Sequence, residues 1–348
     1  MGGNALQAGS VRLPAERYHA VERALVHVLR QRFPARRIEA IIAYADKPDF
    51  GDLDILVEDD AHYDPALLAE ALGAIEVVVN GDVASIGVQL DEGVFQVDLI
   101  KIPAASFDFA ARYFGYNDFG NLVGRVAHQF GAKFGHLGLL YPIRDPGNPS
   151  HMIAQVSITA DFNTALSLLG YDALRYTALR AANQFRTLDD MFRFVVSTPY
   201  ANRDIYLLDK RSHKARIRDA KRATYRSFLL WLEDQPAGTL PAYPWGEEGT
   251  AVREAHMAQF LQTAFAQLPA FKESYDAALA NTARAKQLKI KFNGALAAEI
   301  TGLSGTDLGA FMQRVRASFT DENAFEEFFL AASRESIEAT FLSSKLNV

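Results

Sequence analysis

Apolar residues change their spacing along the chain, and the change separates two kinds of secondary structure. In residues 14–32 they recur at helical spacing behind Pro14, which predicts an amphipathic helix. Short segments rich in β-branched residues follow, separated by Gly and Asp, and this pattern is typical of strands. With a helix at about 65–73 between them, these segments predict an α/β module with a mixed sheet. The predicted strands are Ile38–Tyr44, Leu53–Val57, Val77–Val79, Ala84–Leu90 and Val94–Ile102.

Helical spacing dominates from about residue 160 onward. Residues 106–135 already favour helix, and Leu137–Ile143 and Met152–Ile158 indicate a further strand pair. We therefore expect an α+β fold, with a mixed β-sheet flanked by helices in residues 1–158 and a mainly helical domain in residues 159–348. The predicted helices of the second half are Thr187–Val196, Lys210–Glu233, Val252–Leu268, Ser274–Lys291, Asp307–Phe319 and Glu322–Leu342.

The composition narrows the classes of protein to which the chain can belong. It has 348 residues, a formal net charge of −6 and no cysteine, which excludes disulfides, thiolate zinc sites and a catalytic thiol. No stretch approaches the roughly 18 consecutive apolar residues that a membrane span needs, and the N-terminus lacks the apolar stretch of a signal peptide. We expect a cytoplasmic protein without a membrane partner. The sequence does not fix an oligomeric state.

Three aspartates stand at strand positions that predict a shared site. Asp52 and Asp54 alternate at the start of a predicted strand, so they point to the same face. Asp98 lies between Val97 and Leu99 in an otherwise apolar strand, and pairing of the two strands brings a third carboxylate to the same place. Like charges at such a site repel each other unless a cation compensates them. Carboxylate oxygens favour Mg²⁺ or Mn²⁺ as that cation.

This arrangement suits in-line attack on an α-phosphate. Charge builds on the entering and leaving oxygens, and two metal ions roughly 3.5–4 Å apart stabilise both. In this interpretation Asp52 and Asp54 ligate both ions, while Asp98 ligates the ion that activates the attacking hydroxyl and assists its deprotonation. Gly51 lets the backbone approach a triphosphate. Asp-x-Asp is also common in turns, but its combination with a lone Asp in a second apolar strand favours the metal site.

Two segments resemble the DNA polymerase β-like nucleotidyltransferase superfamily. Phe50–Leu56, which reads FGDLDIL, resembles its Gly-Asp-hydrophobic-Asp motif, and Val97–Leu99 resembles its third acidic strand. The resemblance covers about residues 38–102, and the superfamily includes CCA-adding enzymes, poly(A) polymerases and antibiotic nucleotidyltransferases. It implies that residues 1–158 form a catalytic domain that binds two Mg²⁺ or Mn²⁺ ions and takes a nucleoside triphosphate such as ATP.

One departure from the family pattern concerns the triphosphate. The family usually has a Gly-Ser or Gly-Gly pair before the acids that cradles the triphosphate, whereas Ala43–Lys47 reads AYADK here. We place Tyr44 and Ala45 at the positions of that pair and expect Lys47 to make the phosphate contact. An inactive descendant that binds nucleic acid stays an alternative. Burying three uncompensated carboxylates costs on the order of several kcal/mol, and their retention therefore favours an enzyme.

A helix after the third acidic strand supplies nucleotide contacts in the resembling family. The corresponding segment here is residues 117–135, in which Asn121, Arg125 and Lys133 are the candidates for ribose and phosphate contacts. Their spacing of four and eight residues places them near one helix face. The alternative is that this segment serves helix packing through its glycines.

Residues 203–226 reverse the acidic charge of the chain, with nine Lys or Arg against three Asp. Such a reversal is typical of a polyanion-binding surface, on which Tyr206 and Tyr225 could stack on bases. A solvated helix face is the alternative. The candidates for nucleic-acid contacts are Lys210, Arg211, Lys214, Arg216, Arg218, Lys221 and Arg222.

The acceptor of the transfer is less determined than the chemistry. The helical residues 159–348 and their basic stretch favour an RNA 3′ end such as that of tRNA. Residues 292–315 also resemble a helix–turn–helix segment of CCA-adding enzymes, although a tight helical hairpin is the simpler interpretation. A small molecule such as an aminoglycoside, or a protein side chain, stays open as the acceptor.

Overall fold

A five-stranded sheet forms the centre of the computed structural model, which describes residues 5–60, 62–145 and 147–346. Its strands are β2 (Ile38–Ala40), β4 (Asp52–Asp59), β5 (Ala74–Asn80), β6 (Val83–Leu90) and β7 (Gly93–Pro103). The strand order is β2-β4-β7-β6-β5; β4 and β7 are parallel, and the other neighbours are antiparallel. The short strands β1 (Leu13–Pro14) and β3 (Asp49–Phe50) pair with each other.

One face of this sheet packs against α1 (Ala15–Arg32) and α2 (Pro65–Ala71). Alternation along β4 and β7 explains the packing, since Leu53, Ile55, Val97 and Leu99 are fully buried on the helix side. The intervening aspartates face the other way.

Helix α3 (Phe107–Tyr113) covers part of the opposite face. Leu56 of β4 and Ile100 and Ile102 of β7 pack with Phe107 and Ala110 of this helix. These residues belong to the C-terminal parts of the two strands. The aspartates lie towards the other end of the same face.

Aromatic packing joins further helices to the sheet domain. Phe119 on α4 (Phe119–Gln129) packs with Phe162, Tyr176 and Phe194, whose ring centroids lie 5.5–6.5 Å from its own. The first compact unit therefore extends from the N-terminal residues to Ile143 and resumes at Gln155–Phe271. It does not coincide with the boundary expected at residue 158, because these buried rings hold the later helices to the sheet. Its remaining elements are β8 (Lys133–Gly135), β9 (Gly138–Asp145), β10 (Asn148–Thr159), α5 (Phe162–Leu168), α6 (Ala173–Ala181), α7 (Leu188–Val195), α8 (His213–Lys221), α9 (Ala223–Glu233) and α10 (Ala251–Gln267), of which β9 and β10 continue into the second unit.

The second unit comprises residues 144–154 and 272–348 and has a core of its own. Phe311, Phe325, Phe329 and Phe341 form the centre of that core. Gly302 ends a helix in the left-handed region at φ 70°, which produces the helix–turn–helix expected there. The helices are α11 (Pro269–Lys291), which begins in the first unit, α12 (Gly294–Thr301), α13 (Gly305–Ala317), α14 (Glu322–Ala331) and α15 (Arg334–Leu346).

The predicted α+β fold class is confirmed, while several element boundaries were wrong. The strand predicted over residues 38–44 ends at Ala40. The helix predicted over residues 210–233 breaks at Arg222, whose backbone is extended between α8 and α9. The helical stretch predicted over residues 106–135 is two helices, followed by β8 from Lys133. Among the described residues, no helix combines the length and apolar character that crossing a membrane requires.

Candidate active site

The three aspartates lie together on one face of the central sheet. In the parallel pair of β4 and β7, Asp54 stands opposite Asp98 and Asp52 stands opposite Gln96. Residues in register point to the same face, so the carboxylates share the face opposite α1 and α2. Carboxylate oxygens of Asp52, Asp54 and Asp98 all lie within 4.8 Å of one another. The structure thus brings together the acids that the sequence singled out.

Burial and mutual repulsion make this cluster costly without a compensating charge. Burial raises the pKa of Asp54, and the charges of Asp52 and Asp98 raise it further. Burial also raises the pKa of Asp98, against the hydrogen bonds that Ser85 and Gln96 donate to it. A hard divalent cation with oxygen ligands relieves both effects. The donor set therefore fits Mg²⁺ or Mn²⁺.

An aromatic pair supports a lysine beside the acids. Tyr18 and Phe50 stack with ring centroids 3.6 Å apart, and Lys47 Nζ lies 4.2 Å from the centroid of the Phe50 ring. Burial lowers the pKa of Lys47, while the charges of Asp52 and Asp54 raise it. Lys47 is thus a partly buried cation held close to the carboxylates.

A cleft of about 560 Å³ opens at the acids. Asp52, Asp54, Gly51 and Lys47 line it, together with the apolar segment Ile41–Ala43. Pockets of roughly 300–1,000 Å³ with a few converging polar groups are typical of small-molecule and cofactor sites. The cleft is therefore of the size that a nucleotide needs.

Two arginines that line the cleft are each held by an aspartate. Arg12 Nε donates to Asp49 Oδ1 at 2.8 Å, and Arg222 forms an ion pair with the buried Asp118. Guanidinium groups suit the recognition of phosphate oxygens, and an anchored side chain loses less entropy on binding. The cleft thus combines carboxylates for a cation with cationic groups for an anion.

The turn before α4 presents an amide to the cleft through an unfavourable backbone. Tyr116 and Asn117 adopt φ values of 56° and 63°, a left-handed conformation that costs free energy for residues other than Gly. The Tyr116 N–H donates to Ile42 O at 2.8 Å, and Asn117 Nδ2 donates to Thr224 Oγ1 at 3.3 Å. Such conformations concentrate at functional sites. Asn117 and Thr224 both line the cleft.

Of the segment Ala43–Lys47, which was expected to replace the Gly-Ser pair, Ala43 and Lys47 line the cleft. Tyr44 is half-buried outside the residues that line the cleft. The backbone N–H of Ala45 donates to Phe185 O at 2.9 Å, so it faces the protein interior. Ile41–Ala43 line the cleft instead, so neither Tyr44 nor Ala45, at which the pair was placed, borders it.

The predicted ribose and phosphate contacts do not share a helix face. Arg125 is buried and donates its Nε–H to Ile205 O at 3.0 Å, which makes it a packing residue. The Asn121 amide lies 3.5 Å from Asp219 Oδ1. Lys133 is exposed at the start of β8, beyond the end of α4. The expectation of one common face was wrong because α4 is shorter than the pattern suggested.

Part of the basic stretch is internal. The Arg211 side chain is 4% exposed and pairs with the fully buried Asp219 at 2.6 Å, and Arg218 pairs with the same carboxylate at 2.9 Å. Tyr206 and Tyr225 are buried, with the Tyr225 hydroxyl donating to Tyr206 O at 2.7 Å, so the expectation that they stack on bases was wrong. Besides Arg222 at the cleft, the cations of the stretch that stay exposed and apart from this carboxylate are Arg203, Lys210, Lys214, Arg216, Lys221 and Arg226.

Several groups at the site were not found from the sequence. Gln96 precedes Asp98 by two residues on the same strand face, and period-two spacing was a usable signal for it. Arg12 comes from an irregular N-terminal segment that carries no motif. Asn117 and Thr224 meet across more than a hundred residues of chain, and no local pattern predicts such a contact.

The chemistry available at the cleft is that of a hard cation and a phosphate ester. Three carboxylates can hold a divalent cation, and the neighbouring Arg12, Lys47 and Arg222 can bind an anion. No protein-family model matches the sequence, and no curated protein matches it significantly.

Proposed function

We propose that the chain is a metal-dependent nucleotidyltransferase, which transfers a nucleoside monophosphate from a nucleoside triphosphate to an acceptor hydroxyl. The observation that carries this proposal is the convergence of Asp98 with Asp52 and Asp54, the two acids that line a cleft together with Lys47 and Arg222. The resemblance of Phe50–Leu56 and Val97–Leu99 to the DNA polymerase β-like superfamily supports the same reaction.

Each acid has a role in this proposal. Asp52, Asp54 and Asp98 would hold two Mg²⁺ or Mn²⁺ ions, which when bound neutralise charge on the entering and leaving oxygens. Gln96 Nε2 donates to both oxygens of Asp98, at 2.9 and 3.1 Å, and so fixes this carboxylate. Asp98 would also accept the proton of the acceptor hydroxyl.

The bonds that change are those of an in-line displacement. The acceptor oxygen forms a bond to the α-phosphorus while the bond from that phosphorus to the bridging oxygen of the β-phosphate breaks. The hydroxyl proton passes to the Asp98 carboxylate, and pyrophosphate leaves. Lys47, Arg12 and Arg222 are the groups we assign to the triphosphate oxygens, because they line the cleft beside the acids.

We further propose that the acceptor is an RNA 3′ end and that the protein is located in the cytoplasm. Arg222 lies in the cleft at the end of α8, and exposed cations continue from it along that helix at Lys214, Arg216 and Lys221. Exposed cations on a helix that ends at the cleft suit contact with a long polyanion. A small molecule would occupy the cleft alone and would not need these side chains.

Incubation with each α-³²P-labelled nucleoside triphosphate, Mg²⁺ and total tRNA tests the proposal. The variants are Asp52→Ala/Asp54→Ala and, as a matched control, Asp91→Ala, which removes an exposed acid at the β6–β7 turn. We expect wild type and the control to label RNA and the double variant to lose at least about 10²-fold in rate, as the loss of metal and electrostatic stabilisation implies.

The other outcomes separate the parts of the proposal. Triphosphate binding that requires Mg²⁺ and the two acids, without label in RNA, would retain the chemistry and exclude the RNA acceptor. Aminoglycosides and proteins then replace RNA in the same assay. No Mg²⁺-dependent binding of any triphosphate would overturn the enzyme proposal.

A further inference from the structure

An N-terminal segment crosses the face of the sheet that carries the acids. Gln7 and Ala8 donate their backbone N–H groups to the Glu76 carboxylate at 2.7 and 3.2 Å, and Val11 donates to Val94 O at 2.9 Å. The segment, residues 5–12, thus begins beside Gln96 on β7, reaches the outer strand β5 at Gln7 and Ala8, and returns to β7 and β4. It ends at Arg12, which lines the cleft.

The strand register explains the path of this segment. Glu76 pairs with Gly87, Gly87 with Gln96, and Gln96 with Asp52, so the four residues form one row across the sheet. Gly87 leaves room for the segment, because a Cβ there would lie 3.3 Å from Leu6 Cδ1. Residues 5–12 therefore follow a row that ends at one of the three acids.

Gln96 connects this segment to another of the acids. Its side chain is held at both ends: Oε1 accepts from the Ala5 N–H at 2.9 Å, and Nε2 donates to Asp98 Oδ1 and Oδ2 at 2.9 and 3.1 Å. Gln96 is 3% exposed. Because the segment occupies the carbonyl oxygen, the amide nitrogen is the end that faces Asp98.

Ser10 connects the same segment to the strand that carries Asp52. Its hydroxyl donates to Gly51 O at 2.9 Å and accepts from the Gln96 N–H at 3.0 Å. Asp52 and Gln96 are the first pair of the ladder between β4 and β7, and Gly51 directly precedes Asp52. The hydroxyl therefore bridges the two strands directly beside Asp52.

We propose that Gln96 and Ser10 are positioning residues, through which residues 5–10 fix the carboxylates of Asp98 and Asp52 for cation binding. This inference rests on the proposed function, since it assumes that the acids hold a divalent cation. Groups that hydrogen-bond to metal ligands orient them, and their loss typically costs about 10–100-fold in metal affinity. Gln96 acts on the cation through Asp98.

Mn²⁺ binding to the full chain, followed by electron paramagnetic resonance, tests this role without relying on turnover. The variants are Gln96→Met, which keeps the length and removes both amide donors, and Ser10→Ala, which removes the bridge. Gln89→Met is the matched control, because Gln89 is an exposed glutamine on neighbouring β6 whose amide donates to Leu90 O. Asp52→Ala/Asp54→Ala defines the signal that depends on the acids.

We expect Gln96→Met to weaken Mn²⁺ binding about 10–100-fold, Ser10→Ala to weaken it less, and Gln89→Met to leave it unchanged. Thermal unfolding of the metal-free variants separates this effect from a general loss of stability, because a merely structural role lowers the melting temperature without changing Mn²⁺ affinity below it. If Gln96→Met does not fold, Ser10→Ala carries the test.

The same experiment distinguishes failure of the positioning role from failure of the proposed function. Wild-type Mn²⁺ affinity in a folded Gln96→Met protein, or in Ser10→Ala where it stands in, overturns the positioning role and leaves the proposed function intact. Absence of acid-dependent Mn²⁺ binding in the wild type overturns the proposed function and this inference with it.

Discussion

Asp54 shows how the cluster of acids affects stability at the scale of one residue. Burial and the neighbouring carboxylates of Asp52 and Asp98 raise its pKa, so the folded, metal-free protein binds this proton more tightly than the unfolded chain does. Between the pKa of an unfolded aspartate and the raised value, unfolding releases protons. The free energy of unfolding therefore decreases as pH rises through this range.

We expect Asp54→Asn to remove this loss. In EDTA the variant should melt at a higher temperature than the wild type at pH 8, and the difference should shrink at pH 5, where a carboxyl with a raised pKa holds its proton. Circular dichroism at the two pH values measures both differences, with Asp91→Asn as the exposed control. A stabilisation that is larger at pH 5 than at pH 8 would contradict the assigned direction.

Lys47 gives a second prediction at this scale. Its ammonium lies over the Phe50 ring and near the acids, in the cleft that we assign to the triphosphate. A hydrogen bond to a charged group contributes roughly 1.5–3 kcal/mol, so Lys47→Met should weaken binding of Mg²⁺-ATP about 10- to 100-fold. Isothermal titration calorimetry measures the affinity for Mg²⁺-ATP. Lys101→Met, which removes a lysine paired with Asp59 on the sheet, should bind as the wild type does.

The sequence predicted the positions of some functional side chains correctly and missed the burial of others. Asp52, Asp54 and Asp98 were found because a charged residue in an apolar strand is conspicuous and strand alternation fixes its face. Arg211 and Tyr225 look like exposed recognition groups in a basic stretch, yet both are buried. Burial of a polar side chain depends on its distant partners, and a local charge pattern does not contain them.

At the scale of elements, the parallel pairing of β4 and β7 and the turn before α4 bring the site together. The turn holds Tyr116 and Asn117 in the left-handed region. A β-branched residue tolerates this conformation poorly, whereas Gly adopts it freely. Residue 117 therefore has two roles that substitutions can distinguish: its backbone must adopt the left-handed conformation, and its side-chain amide lines the cleft.

Two substitutions at this turn should separate these contributions. Asn117→Val should destabilise the protein by about 1–2 kcal/mol relative to Asn117→Gly, as the steric cost of a left-handed residue implies. Urea unfolding measures this difference. Both variants should bind triphosphate less tightly than the wild type, since both lack the amide. Equal stability of the two variants would show that the turn does not impose the left-handed conformation in solution.

Helix α8 gives a prediction about the acceptor. Lys214 and Lys221 are exposed and lie seven residues apart on one face of this helix, and the buried pair of Arg211 and Asp219 anchors it. Each phosphate contact to single-stranded nucleic acid contributes about 0.7 to the slope of log affinity against log salt. Replacing both exposed residues with Ala should therefore make the slope for RNA shallower by about 1.4.

Fluorescence anisotropy with a labelled tRNA at several salt concentrations measures this slope. Arg23→Ala/Arg32→Ala on α1 is the control, because both arginines are exposed on a helix that we do not assign to RNA. An unchanged slope in the α8 variant, or an equal change in the control, would argue against α8 as the acceptor surface.

At the scale of the whole molecule, much of the architecture followed from local periodicity. The predicted strands and the helical second half correspond to observed elements, because alternation and helical spacing are local properties. The division into units did not follow from them. Phe119, Phe162 and Tyr176 hold helices beyond residue 159 to the sheet domain, and the loss of strand signal there does not mark a boundary.

The candidate site shows the same division between local and distant information. The acids and Lys47 lie within or beside recognisable strands, and the sequence located them. Arg12, Asn117 and Thr224 come from three separate parts of the chain that meet only in the folded protein. Residues 5–12 belong to this second group, since their bonds to Glu76 and Gln96 span 68–91 residues.

The position of Mn²⁺ in crystals grown with a non-hydrolysable nucleoside triphosphate analogue tests the proposed nucleotidyltransferase site directly. Anomalous scattering at the manganese edge locates the ions without assumptions about turnover. We expect anomalous peaks between the carboxylates of Asp52, Asp54 and Asp98, with the phosphates of the analogue directed towards Lys47 and Arg222. Density for the analogue elsewhere, or no anomalous peak at the three acids, would contradict the proposed site.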